Sequence, residues 1–491
     1  MPRLRALEGV SGRNGECWLG EVTAMSTSAR DMIRGASSRV SPLAGELLRV
    51  DSIPLELALR SSGNHVPRGR RIRFDRFLDT AFAAREKERL WKRVWQVACR
   101  EEDIPEVGDR VVYAVADLSF VIVRSAETQF RAFRNACLHR GTRLCDGAGS
   151  GDSLRCPFHG WEWDLEGALR NVPSRWDFPD VTPEGYRLPQ VKVGTWDGFV
   201  FINPDPDATP LARVLGVLPD HFSQWRFADR FTAVHVRKLV RANWKITLEA
   251  FLEAYHVIET HADSLGFTGD SSTQYDIWDD GISHVSRLIT PSVVPSPHLG
   301  DDASIEVAAN EAFEAYAMAI PGMKAPKFDR ASPFSARAQV AAWRRATLGA
   351  TFGRDFSSRS DAAMLDSIQY FMFPNFCPWW GEGLPLVYRF LPFGNDPAQS
   401  IMEIRLMLPV PESGPRPPSA PVRQIGFDES IREVSEIGIL ARIFEQDMGN
   451  LPRIQAGLSA AADERAFETL GRYQEQRILH FHEVLDRTLG V

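Results

Sequence analysis

Two short segments each place one thiol close to one imidazole. They are Cys137-Leu-His139-Arg-Gly and, seventeen residues after His139, Cys156-Pro-Phe-His159-Gly-Trp. One Cys and one His per loop is the ligand set of a Rieske [2Fe–2S] centre, in which two imidazoles replace two thiolates on one of the irons. Neutral imidazoles make such a cluster less negative, so it accepts an electron more readily than a ferredoxin cluster held by thiolates alone. The rival is a structural zinc site, but zinc fingers usually pair C-x2–4-C with H-x3–5-H rather than mixing the two types in each loop. Gly141 and Gly160 follow the His residues, where tight loops can aim backbone N–H groups at cluster sulfurs. Trp161 and Trp163 are placed to shield the cluster from water.

A second constellation lies in Asn243-Trp-Lys-Ile-Thr-Leu-Glu-Ala-Phe-Leu-Glu-Ala-Tyr-His-Val-Ile-Glu-Thr-His261. Trp244, Leu248, Phe251, Tyr255 and Ile258 recur at helical spacing, which predicts one inward face. Glu253 and His256, three apart, lie together on that helix. His256 and His261 are five apart and would diverge by about 140° on an undistorted helix, so sharing a metal requires a bend, a π-bulge or a helix end near Thr260. By itself such a pair of His is more often structural. Beside an electron-storing cluster the weighing changes, because two His and one carboxylate on one face of an iron leave positions open for O2 and substrate. Glu445 and Asp447, following an apolar helix expected around 434–443, offer that carboxylate.

A length of 491 residues supports two or three domains. A composition 44% hydrophobic and 25% charged is that of a soluble globular protein, and a net charge of −7 gives no support for nucleic-acid binding. No apolar run approaches the roughly 18 residues needed for a membrane span, and no signal-peptide core is visible. Of the six Cys, four (Cys17, Cys99, Cys145, Cys377) lie outside the ligand loops and form no disulfide framework, which indicates a reducing cytoplasm.

The expected class is α+β. Residues 1–70 read as a partly disordered N-terminal extension, with Met25 a candidate natural start. An amphipathic helix is expected at 74–95, then short strands at 111–115, 120–123, 130–133, 191–193 and 199–202. Together, residues 71–210 form a small antiparallel β domain carrying both ligand loops. Residues 211–491 form the second domain, with strands at 366–373, 385–393 and 400–408. Within it, 296–360 reads as a helical insertion with helices near 304–320 and 336–349, either a lid or a packing element. The aromatic run 373–380 reads as core plus a loop. His235, His284, His298, His480 and His482 read as surface or satisfied histidines.

In order, C-x-H-R-G with C-P-x-H-G-W, then N-W-K…E-A-Y-H-x4-H, then E-Q-D…Q-x-G-L resembles the large (α) subunit of the Rieske non-haem iron oxygenases, the aromatic-ring-hydroxylating family. The resemblance spans about 95–460. It implies a helix-grip catalytic domain and Cys137, His139, Cys156 and His159 as cluster ligands. His256, His261 and Asp447 would be ligands to a mononuclear Fe(II). Glu253 matches a bridging carboxylate, normally Asp, between an iron-ligand His and a cluster-ligand His of the neighbouring subunit. A homotrimer follows, with or without a β subunit. The implied reaction uses O2 and electrons from NAD(P)H, supplied by a ferredoxin and/or flavin reductase, to hydroxylate an apolar aromatic substrate by cis-dihydroxylation. Monooxygenation or demethylation is the alternative, and a pure electron-transfer protein a more distant one. Arg140 is expected either to reach across the subunit boundary or to form a local salt bridge.

Overall fold

The computed structural model describes residues 43–68, 71–318, 323–461 and 467–491; the Met25 start lies outside them. The segment expected to form one helix at 74–95 is three pieces. Asp75–Leu78 is followed by α1 (Thr80–Glu86) and a π-helical turn, Lys87–Trp91. The break falls at Asp79, whose carboxylate accepts from the Ala81 N–H and so caps α1. Phe77, Leu90, Trp91 and Trp95 are nevertheless all buried, so the apolar spacing reported the inward face correctly and missed the interruptions.

A six-stranded antiparallel sheet follows, formed by β1 (Gln96–Arg100), β2 (Arg110–Val115), β3 (Leu118–Ala126), β4 (Gln129–Arg134), β8 (Gln190–Trp196) and β9 (Phe199–Asn203), in the order β1-β9-β8-β4-β3-β2. Between β4 and β8 the chain makes a small sheet of β5 (Ser153–Arg155), β6 (Glu162–Asp164) and β7 (Leu169–Asn171), and the two ligand loops flank β5.

The second sheet has eight strands: β10 (Arg230–Val240), β11 (Gln274–Asp279), β12 (His284–Thr290), β13 (Ser367–Met372), β14 (Phe376–Trp380), β15 (Leu386–Pro392), β16 (Ser400–Pro409) and β17 (Val422–Ile425). Their order is β11-β12-β13-β14-β15-β16-β10-β17, antiparallel except where β17 joins β10. The aromatic run at 373–380 is therefore mostly strand β14, buried along its whole length. Two helices, α6 (Leu440–Ala460) and α7 (Gln476–Leu489), pack Phe444, Met448, Leu451, Phe481 and Leu485 into one apolar core with Val236, Tyr388 and Phe390 of the eight-stranded sheet and Ile122 and Val200 of the six-stranded one. The insertion forms α4 (Ile305–Met318) and α5 (Ala336–Phe352), whose Phe313, Val340 and Ala341 pack on Val293, Met364 and Leu365. Arg337 pairs with Asp366 at 2.8 Å, which pins this helical pair to the turn before β13.

Part of the presumed extension is folded as well. Residues 43–60 contain helices Ala44–Arg49 and Leu57–Arg60. Asp51 accepts from the N–H groups of Asp361 and Ala362, and Glu56 takes the Ser360 hydroxyl.

Ion pairs tie the sheets and helices together. Arg405 on β16 meets Asp103 at 2.7 Å, and this guanidinium overcomes the effect of burial to hold the Asp103 carboxyl down at about 2. A depressed carboxylate stabilises the fold above its unfolded pKa and loses that contribution as pH falls through the folded value. Asp103→Asn is therefore expected to cost on the order of 2 kcal/mol near pH 6 and little near pH 2. Urea midpoints measured from pH 6 down to pH 2 check this. Glu86 and Lys245, both fully buried, pair at 2.8 Å and link α1 to α2 (Trp244–Glu249). Glu86→Ala strands the ammonium and is expected to cost about 3–5 kcal/mol in denaturant unfolding.

Candidate metal centres

The two Cys/His loops share one backbone pattern. In the first, the Cys137 N–H donates to the Thr142 carbonyl at 2.8 Å and Gly141 N–H to the Cys137 carbonyl at 2.9 Å. In the second, Cys156 donates to Trp161 at 2.8 Å and Gly160 to Cys156 at 3.0 Å. Gly141 and Gly160 have φ of 78° and 74°, the left-handed conformation that closes each loop and that a side chain would strain. These turns aim N–H groups at sulfur: His139 and Arg140 at Cys137, and Phe158 and His159 at Cys156. Burial raises the Cys137 thiol, whereas at Cys156 it is overcome by the two N–H groups, which hold that thiol below its ordinary value. Burial lowers the His139 pKa below its ordinary value, with the neighbouring His159 and Arg140 acting in the same direction.

The ring of His139 stacks on Trp161 at 5.1 Å and 3°, and the His139 and His159 rings lie 4.7 Å apart. His139 Nδ1 is buried without a hydrogen-bond partner. An orphaned imidazole nitrogen beside two sulfurs that already receive N–H donors fits a [2Fe–2S] cluster and has no evident purpose without one. Trp161 and Trp163 are buried behind it, while His159 is exposed at the rim. Arg140 lies over the Phe158 ring at 5.6 Å, an alternative to both partners expected for it.

The second centre departs from the expected helix. α2 ends at Glu249, residues 250–256 form turns, and a single helical turn, α3, covers Val257–Thr260. His256 is its N-cap and His261 its C-cap. A helix end at Thr260 is one of the three devices the spacing required, and it brings the two rings to 5.0 Å. Glu253 is not helical. One oxygen accepts from the N–H groups of Tyr255 and His256, and the other takes His256 Nδ1 at 2.6 Å. The methylene by which Glu exceeds Asp is used in this fold-back.

The third member stands inside α6, not after a helix as the sequence suggested. Asp447 Oδ1 is 3.1 Å from His261 Nε2 and 3.7 Å from His256 Nε2. Ligand atoms of all three residues lie within 4.8 Å of one another. Glu445, the other candidate, faces away and accepts from Ser430 Oγ and the Ile431 N–H. Gln446 accepts from His261 Nδ1 at 2.9 Å, and Asn450 donates to Thr260 Oγ1 at 3.1 Å; sequence spacing marked neither. With both Nδ1 atoms engaged, both Nε2 atoms converge with one carboxylate, the donor set of a facial two-His-one-carboxylate iron site. Burial disfavours charge on His256, but Glu253, with help from Asp447, outweighs it and lifts its pKa to about 9. Such an electronegative setting draws in a cation.

Two other carboxylate–imidazole groups carry cations of their own. Asp279 meets His480, His284 and Arg487, while Glu249 and His482 sit beside Lys245 and Arg76. Among the histidines read as surface or satisfied, His235 pairs with Glu403 and His298 with Ser271, whereas buried His480 uses Nε2 on Asp279 and leaves Nδ1 without a partner among the described residues.

Comparison with known proteins agrees with both centres. Residues 94–182 match the Rieske [2Fe–2S] domain, and residues 222–490 match the ring-hydroxylating alpha subunit catalytic domain. The chain belongs to the ring-hydroxylating α-subunit family. Its cofactors are accordingly a Rieske [2Fe–2S] cluster and a non-haem iron. Among curated relatives, biphenyl 2,3-dioxygenase subunit alpha of Rhodococcus jostii (strain RHA1) is 33% identical over 188 residues, 37% of this chain and 41% of that protein. The carnitine monooxygenase oxygenase subunit of Escherichia coli (strain K12) is 31% identical over 185 residues, 36% of this chain and 48% of that protein. The matched stretch thus spans roughly two-fifths to one half of these relatives. In fold, the chain resembles a quaternary ammonium Rieske monooxygenase bound to L-carnitine (TM-score 0.56, 16% identity, 85% of this chain and 95% of that one). It is equally similar to a naphthalene 1,2-dioxygenase variant bound to phenanthrene (TM-score 0.56, 17% identity, 86% and 92%). Among the described residues of this family member, no helix is long and apolar enough to cross a membrane.

Proposed function

We propose that this chain is the terminal oxygenase of a multicomponent system. Electrons from NAD(P)H reach it through a ferredoxin and/or flavin reductase, and it inserts oxygen from O2 into an aromatic substrate by cis-dihydroxylation. The observation that carries this reading is the convergence of His256 Nε2, His261 Nε2 and Asp447 Oδ1 in a chain that also holds the Cys137/His139/Cys156/His159 loops. When bound, the cluster supplies one-electron storage and the iron supplies O2 activation.

The protein's own contributions are local. Glu253 and Gln446 fix the Nδ1 protons of the two imidazoles, so that both Nε2 lone pairs face inward. Asp447 adds the single negative charge. Phe251, Tyr388 and Phe444, in edge-on contact, form an apolar cluster on the side of α6 that carries Asp447. Exposed His159 gives electrons an entry point at the surface. Phe158 and Tyr255, both large and half exposed, suit burial against another copy of the chain. A homotrimer, with or without a β subunit, would place the cluster of one copy against Glu253 of the next; the setting would be the cytoplasm.

The experiment is a single turnover of pre-reduced enzyme with 18O2 and a panel of ring compounds, read by mass spectrometry. Two labelled atoms in one product support dihydroxylation. Consumption of O2 without labelled product overturns the oxygenase reading. A second reading, monooxygenation or demethylation, draws on the comparable identity to a monooxygenase subunit; one labelled atom in a hydroxylated product, or a demethylated product with the label in the released formaldehyde, selects it.

A further inference from the structure

We propose that Arg477, Gln369 and Trp379 form an oxyanion site at the end of the aromatic face that leads to Asp447, and that the ring substrate carries a carboxylate that binds there. This rests on the oxygenase reading and narrows its substrate class.

Arg477 on α7 is completely buried and forms no ion pair with any described residue. Its donors go to three neutral acceptors: Ser286 Oγ at 3.0 Å, the Leu252 carbonyl at 3.2 Å and Gln369 Oε1 at 3.0 Å. Three other deeply buried guanidiniums meet carboxylates, as Arg100 does Glu102, Arg230 does Glu382, and Arg287 does Asp276, while Arg344 is held by the Met364 and Glu382 carbonyls with no orphaned donor beside it among the described residues. Burial lowers Arg477 only to about 10, so it is still a cation at neutral pH. A buried charge of this kind lacks its counter-ion.

The two neighbouring groups lack acceptors. Gln369 Nε2 and Trp379 Nε1 are buried without hydrogen-bond partners. The two residues are directly paired across β13 and β14, so their side chains stand side by side on one face of the sheet. Gln369 uses its carbonyl oxygen on Arg477, which brings the orphaned amide N–H next to the guanidinium. Two unmet N–H donors beside an uncompensated cation describe a place for an anionic oxygen pair.

The same face leads to the iron ligands. Trp379 contacts Tyr388 at 5.5 Å, Tyr388 contacts Phe444 at 5.8 Å, and Phe444 lies one turn before Asp447 on α6. On the other side, Leu252, whose carbonyl Arg477 holds, is next to Glu253. A ring lying along Tyr388 and Phe444 with its carboxylate at Arg477 would present its far edge toward His256, His261 and Asp447.

The test is calorimetric titration of the oxidised, cluster- and iron-loaded enzyme with benzoate and with toluene, which differ in the anionic group. Benzoate is expected to bind at least tenfold more tightly. Arg477→Met is expected to collapse that ratio to within about twofold, and Trp379→Phe, a smaller change, to weaken benzoate three- to tenfold. Equal affinity for the two compounds, or an undiminished preference for benzoate in either variant, overturns the proposal and indicates ordered water in the site. If Arg477→Met does not fold, Trp379→Phe decides alone. Binding requires no turnover, so the two readings fail separately. Enzyme that oxygenates toluene but ignores benzoate removes the anion site only. Enzyme that binds benzoate as expected yet never incorporates 18O removes the oxygenase reading only.

Discussion

Asp447→Ala is expected to yield protein with an unchanged Rieske visible spectrum, iron reduced from about three to about two atoms per chain, and turnover lowered more than 100-fold. The reason is the charge count at the second centre. In the proposed site His256 and His261 would contribute neutral nitrogens to the metal, and Asp447 Oδ1, at 3.1 Å from His261 Nε2 and 3.7 Å from His256 Nε2, would be the anion they share. Without it the iron keeps two imidazoles and no carboxylate, and α6 still folds because its apolar face, Phe444, Met448 and Leu451, is untouched. Iron analysis and the visible spectrum measure the two centres independently. Full iron content with wild-type turnover would remove Asp447 from the site.

Glu253→Gln is expected to leave both metals bound and to slow electron arrival at the iron by about 10–100-fold. The amide oxygen of Gln can still accept from the Tyr255 and His256 N–H groups, so the turn survives. What is lost is the carboxylate oxygen on His256 Nδ1 and the negative charge that raises the imidazole's pKa. Dithionite should bleach the variant's cluster at the normal rate, whereas reoxidation of the cluster by O2 in the presence of substrate should lag. Stopped-flow absorbance resolves the two phases, and reoxidation at the wild-type rate would show that Glu253 has no part in the electron path.

The chemistry was more legible in the sequence than the architecture was, and the two differ for a physical reason. Cys137/His139 and Cys156/His159 are local ligand pairs whose loops close within five residues, so spacing alone describes them. The eight-stranded sheet is built of long-range pairings, and its strands β10, β11 and β12 carry charged residues such as Lys238, Asp276 and Arg287. These are buried through partners distant in sequence, Lys238 on the Gly426 carbonyl, Arg287 on the carbonyls of Ala58 and Ser61, and Asp276 on the Gly63 N–H, which hides the alternation that would mark a strand. Helical periodicity failed differently. Around Asp79 and again at 250–256, the chain leaves the helix because a carboxylate side chain captures backbone N–H groups, yet the apolar residues on both sides keep facing the same core. Periodicity senses which side is inward and not whether the backbone is continuous. Gln446 and Asn450 could have been inferred only from standing next to Asp447 and one turn away from it.

That helix has an implication for chain-length changes. Within five residues α6 supplies an orienting acceptor for one imidazole, the acid shared by both, and an amide anchored to the turn between them. Adding or deleting one residue between 440 and 446 would swing all three by about 100° around the cylinder at once. The same edit in the irregular connection at 410–421 would be absorbed before reaching the core. Mutational scanning by single-residue insertions should therefore divide this region sharply, and the boundary would trace the rigid arm that delivers the acid.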